Sequence, residues 1–190
     1  MNQILHRLTG GSLISDGLAS EVADEILKNP ELLSDLIEGL KTSDNLVRAR
    51  TAHAMERISR SQPKLIMSLL PDLIKLALHD PIPMVRWHMP MIFANIAFTE
   101  PELSSVFPTL FRQLKDESVF VKTWAIASLA ILGKRKEDMQ EDIKRRLRAL
   151  STDPSISVRT RAKKAIGVLE GAQRMPPGWY KGSWRGVFGV

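Results

Sequence analysis

The chain has 190 residues, 44% hydrophobic and 25% charged, which suffices for one substantial core and is too apolar for a disordered chain. It has no cysteine, which excludes a disulfide framework, a thiolate nucleophile and a thiolate-bound metal. No stretch approaches the ~18 apolar residues of a membrane span. Met1 to Gly10 lack the basic start and apolar run of a secretory signal, so a cytoplasmic location is expected.

Charge is uneven along the chain. The formal net charge is +6. Residues 1–120 hold 12 Lys/Arg and 15 Asp/Glu, a balance of −3, whereas residues 121–190 hold 15 and 6, a balance of +9. A basic end attracts polyanions or acidic proteins.

In chain order, Ile4, Leu5 and Leu8 make a short apolar start, and Gly10-Gly11 separates it from a helical pattern over Ser20–Lys28. Residues 1–29 are therefore expected to form an N-terminal cap. Four related segments come next: Asn45-Leu46-Val47-Arg48, Ile82 to Arg86, Ser118 to Lys122 and Ser155 to Arg159. Their basic residues recur at steps of 38, 36 and 37, and an Asp (Asp80, Asp116, Asp153) stands five residues before the last three valines. After Val85, Val121 and Val158, apolar residues fall at offsets 4, 7, 8 and 11, with small Ser128 at one of them, the stripe of an amphipathic helix. A first helix is expected before each turn, over Pro30–Lys41, Pro63–His79, Pro101–Lys115 and Glu137–Leu150, with Pro63 and Pro101 at first-turn positions. The repeats so defined span about 30–62, 63–100, 101–136 and 137–171. Pro90, inside the second helix of repeat two, is expected to kink it. Strand signals are absent.

A helix, a short Asp-bearing turn and a second helix every ~37 residues resemble the HEAT-repeat family. The resemblance covers roughly residues 30–170. It implies an all-α, right-handed α-solenoid of about four helix pairs, with first helices on the convex face and second helices on the concave face. It also implies a buried polar ladder between repeats, built from Asp80, Asp116 and Asp153 with Arg48, Arg86, Lys122 and Arg159. Lys122 departs from the pattern, because Lys lacks the bidentate fork of Arg. The family shares an architecture and no common activity, so the expectation is a binding surface.

Offsets 2, 3, 6 and 10 from each Val should face the concave side. The candidates there are Arg50, His53 and Arg57 in repeat one, Trp87 and His88 in repeat two, Trp124 in repeat three, and Arg161 and Lys164 in repeat four. Exposed Trp and Arg suit a protein hot spot. Basic groups interleaved with aromatics also suit nucleic acid. No carboxylate occupies these positions, so two imidazoles make a poor metal site, and no catalytic constellation or cofactor motif is found.

A basic patch is expected from Lys134, Arg135 and Lys136 after repeat three, and from Lys144, Arg145 and Arg148 on one solvent face of the next helix. Glu141 is placed to pair with Arg145. Residues 172–190 break the repeat at Met175-Pro176-Pro177-Gly178 and carry an aromatic at every fourth residue: Tyr180, Trp184 and Phe188. This tail either contacts phosphates and bases or covers the exposed end of repeat four, the cap being favoured. The expected function is a non-enzymatic scaffold binding a protein or peptide on its concave face. The alternative is a nucleic-acid-binding module using the basic C-terminal third.

Overall fold

The computed structural model describes residues 2–12, 15–99 and 103–188. Every regular element among them is helical, and the helices stack as an α-solenoid. The N-terminal segment supplies α1 (Gln3–His6) and α2 (Ala19–Lys28). Four pairs come after it: α3 (Leu33–Ile37) with α4 (Asn45–Ser61), then α5 (Pro63–Met67) and α6 (Leu70–His79) with α7 (Pro83–Ile96). The third pair is α8 (Val106–Gln113) and α9 (Val119–Gly133), and the fourth is α10 (Gln140–Arg148) and α11 (Ile156–Leu169). A short α12 (Arg185–Phe188) lies in the tail.

The first layer of each repeat is more broken than its sequence pattern suggests. Pro63–His79 divides at Ser68-Leu69, because Pro71 has no N–H for the Met67 carbonyl. The Leu69 amide turns back to Ile66 instead, at 3.0 Å. Short 3-10 turns flank α3 and α10 in the same way. In repeat three the helix begins at Val106, and Pro101 lies outside the described residues.

The second helices are long and pack side by side in the order α2, α4, α7, α9, α11. The repeat valines Val47, Val85, Val121 and Val158 are fully buried, as the apolar stripe requires. With neighbours on both sides and the first layer behind, α9 is buried around most of its circumference.

Carboxylate–cation pairs join successive repeats. Arg48 pairs with Asp80, Arg86 forks onto both carboxylate oxygens of Asp116 at 2.8 and 2.9 Å, and Lys122 reaches Asp153 at 2.6 Å. Each base therefore holds the turn of the repeat after its own. The same Asp side chains accept from the backbone N–H two residues on, at Ile82, Ser118 and Ser155. That bond fixes the turn that starts each second helix. Arg159, at the C-terminal end of the row, donates to the carbonyls of Asp153 and Pro154.

Pro90 does not interrupt α7, which is helical on both sides of it. The Arg86 carbonyl, which Pro90 cannot serve, accepts from the Gln113 side-chain amide at 3.1 Å. The same amide group donates to the Ala77 carbonyl at 3.0 Å. A residue of repeat three thus completes the backbone of repeat two.

Asp116 both receives the Arg86 fork and caps its own turn. Asp116→Ala is expected to cost ~1–3 kcal/mol through the orphaned guanidinium and the lost cap. Urea denaturation monitored by circular dichroism measures it, and an unchanged midpoint would contradict a structural role for the row.

Candidate interaction surface on the inner face

The structure separates the eight inner-face candidates into buried and open groups. Arg50 is not a surface residue: it is 3% exposed. Its guanidinium donates to the carbonyls of Leu8, Thr9, Gly10, Ser12 and Ser15. The carbonyls of Leu8, Thr9, Gly10 and Ser15 need a donor, whereas that of Ser12 also accepts from the Ser15 N–H at 3.1 Å. Gly17, at φ +53°, approaches the guanidinium so closely that a Cβ would overlap it.

His88 is likewise buried, at 5% exposure. Its Nδ1–H donates to the Met84 carbonyl at 2.7 Å, which selects one neutral tautomer. Burial pushes its pKa down to about 3. His53 meets it edge-on at 5.2 Å, and burial lowers the His53 pKa as well, against the opposing pull of Asp16. Asp16 lies 3.7 Å from His53, a carboxylate neighbour that the helix periodicity does not reveal. Arg57 faces Asp24 at 3.7 Å. Other positions expected on the inner surface, Ala49, Asn95, Ala127, Ile131 and Val168, are also buried. Offsets 2, 3, 6 and 10 cover the flanks of each helix as well as its inner side, and the flanks meet the neighbouring repeat.

A carboxylate also lies beneath this surface. Glu56 is fully buried, paired with the Arg60 guanidinium and accepting from the Asn95 amide at 3.3 Å. Asn95 donates to the Ser59 hydroxyl at 2.9 Å. The i,i+4 spacing of Glu56 and Arg60 is visible in the sequence, but it reads as a solvated pair unless burial is known.

The open part of the inner face is aromatic and cationic. Trp87 packs on Phe120 at 5.0 Å between ring centres. Phe120 and Ile156 are 62% and 71% exposed, large values for such apolar side chains. They precede their repeat valines, so a count starting after Val passes over them. Arg161 lies over Trp124 at 5.3 Å and over Trp179 at 5.2 Å, and donates to the Thr123 carbonyl. Lys164 is exposed beside them. Phe120, Trp124, Ile156, Arg161, Lys164 and Trp179 line a cleft of about 530 Å³ that holds no carboxylate side chain among the described residues, and Trp87 lies outside it behind Phe120.

The C-terminal segment fills the other end of the inner face. Trp179 is 8% exposed and Trp184 is 1% exposed. The Trp184 indole N–H donates to the Ala94 carbonyl at 2.7 Å, and its ring packs edge-on to Phe98 and stacks on Phe188. Arg135 lies over the same ring at 5.5 Å. Gly182, at φ +51°, presses on the Arg60 carbonyl with no room for a Cβ. The tail therefore runs back across α4 and α7 rather than simply covering the end of repeat four. Gly189 and Val190 lie outside the described residues.

The basic patch is not one free face. Lys144, with 12% of its side chain exposed, pairs with Glu141, while Arg145 pairs with Asp142 rather than Glu141. Arg148 faces Glu170 at 3.3 Å, and Arg146 lies over Phe111 at 4.0 Å. Lys134 and Arg135 are exposed and Lys136 is half-buried. Glu141 and Asp142 sit one turn before the bases of α10 and, with Glu170, pair with all four of them, which leaves the helix with a reduced but still positive charge.

No family model and no curated protein matches the chain. Among solved structures, it is similar to the designed armadillo repeat protein YIII(Dq)4CqI, with 21% identity and a TM-score of 0.61, over 87% of this chain and 80% of that one. A second designed armadillo repeat protein, in complex with a (KR)4 peptide, matches with the same identity, TM-score and coverage. These likenesses concern the fold: an all-helical repeat solenoid.

His88 links stability to pH. The folded protein keeps it neutral down to about pH 3, while the unfolded chain takes up a proton below the ordinary value of 6.5. Its contribution is therefore complete above ~6.5 and declines as pH falls, by up to ~1.4 kcal/mol per unit. Between pH 7 and 5 the wild type is expected to lose about 2 kcal/mol more than His88→Gln. Urea titrations at the two values measure this, and equal losses would contradict the buried neutral state.

Proposed function

We propose that this chain is a non-enzymatic, HEAT-type scaffold that binds an extended segment of another protein along the inner cleft. The observation that carries the reading is the pairing of exposed apolar side chains, Phe120 and Ile156, with Arg161 and Lys164 in a cleft lined by no carboxylate among the described residues. Apolar contact provides most of the affinity in such a cleft, and the two cations select the partner's charge. The favoured segment carries apolar or aromatic side chains beside Asp or Glu. This is the opposite charge to the (KR)4 peptide held by one of the designed neighbours. Trp124, under Arg161, is the expected anchor.

Nucleic acid fits less well. The cations of α10 are engaged by acids of their own helix or by Glu170, so phosphates would have to compete with those pairs for them. Affinity for a short DNA duplex at ~150 mM salt is expected to be no tighter than ~100 μM.

The test is fluorescence anisotropy with three labelled peptides of equal length: acidic–aromatic, neutral–aromatic and Lys/Arg-rich. The acidic–aromatic peptide should bind best. Trp124→Ala should weaken it by ~2 kcal/mol, roughly 30-fold, and Lys164→Glu, which cancels the charge of Arg161, should abolish the preference for the acidic peptide. Binding that ignores both substitutions, or a preference for the basic peptide, would overturn the proposal.

A further inference from the structure

Segment 175–188 lies across the inner ends of α4 and α7. Its backbone bonds are local: the Trp179 N–H donates to the Pro176 carbonyl, and the Trp184 N–H to the Lys181 carbonyl. Among the described residues it shares no backbone–backbone hydrogen bond with the helices, and it is attached by side chains and by the close approach of Gly182 to the Arg60 carbonyl. Met175, Trp179 and Trp184 are buried, while Pro177, Gly178, Arg185, Gly186 and Val187 between and beyond them are exposed. A strap held by a few anchors, without a shared backbone ladder, opens at lower cost than a docked helix.

The place that Trp184 occupies is prepared for an indole. Near the end of α7 the Phe98 amide bonds to the Asn95 carbonyl at 3.2 Å, three residues back. The Ala94 carbonyl, four residues back, is therefore left for another donor, as the last carbonyls of a helix are. The indole N–H supplies it at 2.7 Å. Phe98 gives the ring an edge-on wall and Arg135 a cation on its face. Five residues earlier, Trp179 meets the face of Arg161 at 5.2 Å, on the border of the open cleft. An orphan carbonyl, an aromatic wall and an overlying guanidinium together recognise tryptophan in particular, since Phe has no donor and Tyr carries its donor elsewhere on the ring.

We infer that the end of the inner groove between Ala94, Phe98 and Arg135 is a tryptophan-reading site, filled in this structure by the chain's own strap and available to a tryptophan-bearing segment of another protein when the strap is displaced. This inference rests on the reading of the inner face as a peptide-binding surface, and it adds a second subsite beside the Trp124–Lys164 cleft. The strap is tethered through exposed residues 171–174, so it competes at a high effective concentration. A partner must then engage both subsites, or the strap must first be drawn away.

The test uses the full chain and a labelled synthetic peptide of residues 175–188 as the probe. Two variants displace the strap by different routes: Trp184→Ala removes the anchor, and Gly182→Val keeps both indoles but drives the strap off the Arg60 carbonyl. Both are expected to retain the wild-type helical circular dichroism and to be cut faster by trypsin at Lys181 and Arg185. Both should bind the peptide at least ~10-fold more tightly than the wild type, whose site is filled. A peptide carrying Trp184→Ala should not bind. Loss of helical structure in both variants would make the strap part of the core and overturn the inference. So would folded variants that release the strap yet fail to bind the peptide, or equal binding by wild type and variants. Binding of the acidic–aromatic peptide at Trp124 and Lys164 reads the other subsite, so failure of one proposal is distinguishable from failure of the other.

Discussion

The geometry of the inner face depends on the row of carboxylate–cation pairs between repeats. Each Asp of the row holds its own turn through a backbone amide and accepts a base from the repeat before it. The start of one second helix is thereby tied to the first turn of its neighbour. Arg86 and Arg159 also donate to the backbone carbonyl of their own repeat's Asp, at 2.7 and 2.6 Å. At Arg86 one fork therefore bonds within its repeat and across the junction together. Lys122 is a single point charge and is directed to Asp153 across the junction. With the helix starts aligned, the first turns of successive helices come side by side, and this brings Trp87 onto Phe120.

Both ends of the chain converge on that surface, by different chemistry. The N-terminal segment offers backbone carbonyls, and a buried guanidinium collects them. The C-terminal segment offers indoles, and the inner face provides a carbonyl and two guanidinium faces. The first arrangement removes Arg50 from solvent and ties Leu8, Thr9, Gly10, Ser12 and Ser15 into the fold. The second leaves the strap's backbone mostly outside the helical hydrogen-bond system. Between them, the stretch from Trp87 to Lys164 stays open, and there the exposed apolar area is concentrated.

The repeats are legible in the sequence because their determinants are local. The spacing of Val47, Val85, Val121 and Val158 and the position of each turn Asp lie within a few residues of the structure they dictate. The breaks in the first helices are less legible: Pro71 marks one, but the surrounding Leu69, Leu70 and Leu73 keep an apolar periodicity that reads through it. Beyond the legible part lies what joins residues far apart in sequence. Arg50 looks like any inner-face cation until the carbonyls of Leu8 and Ser15 are brought over it. The indole of Trp184 finds its acceptor 90 residues upstream, and no periodicity encodes that pairing. Phe120 and Ile156 escape the periodicity for another reason, since they sit in the first helical turn, before the apolar stripe begins.

Solenoids are commonly treated as strings of interchangeable units, each stable in proportion to its own packing and its contacts with neighbours. Gln113 makes this chain an exception at one junction. Its amide serves a carbonyl that exists as an orphan only because repeat two carries Pro90. Repeats two and three are thus coupled by a bond that the other junctions lack a reason to make. Excising the third, or exchanging it for a copy of the fourth, would remove the donor and strand a carbonyl inside the stack. A designer shortening or lengthening this array has to move the two as a block.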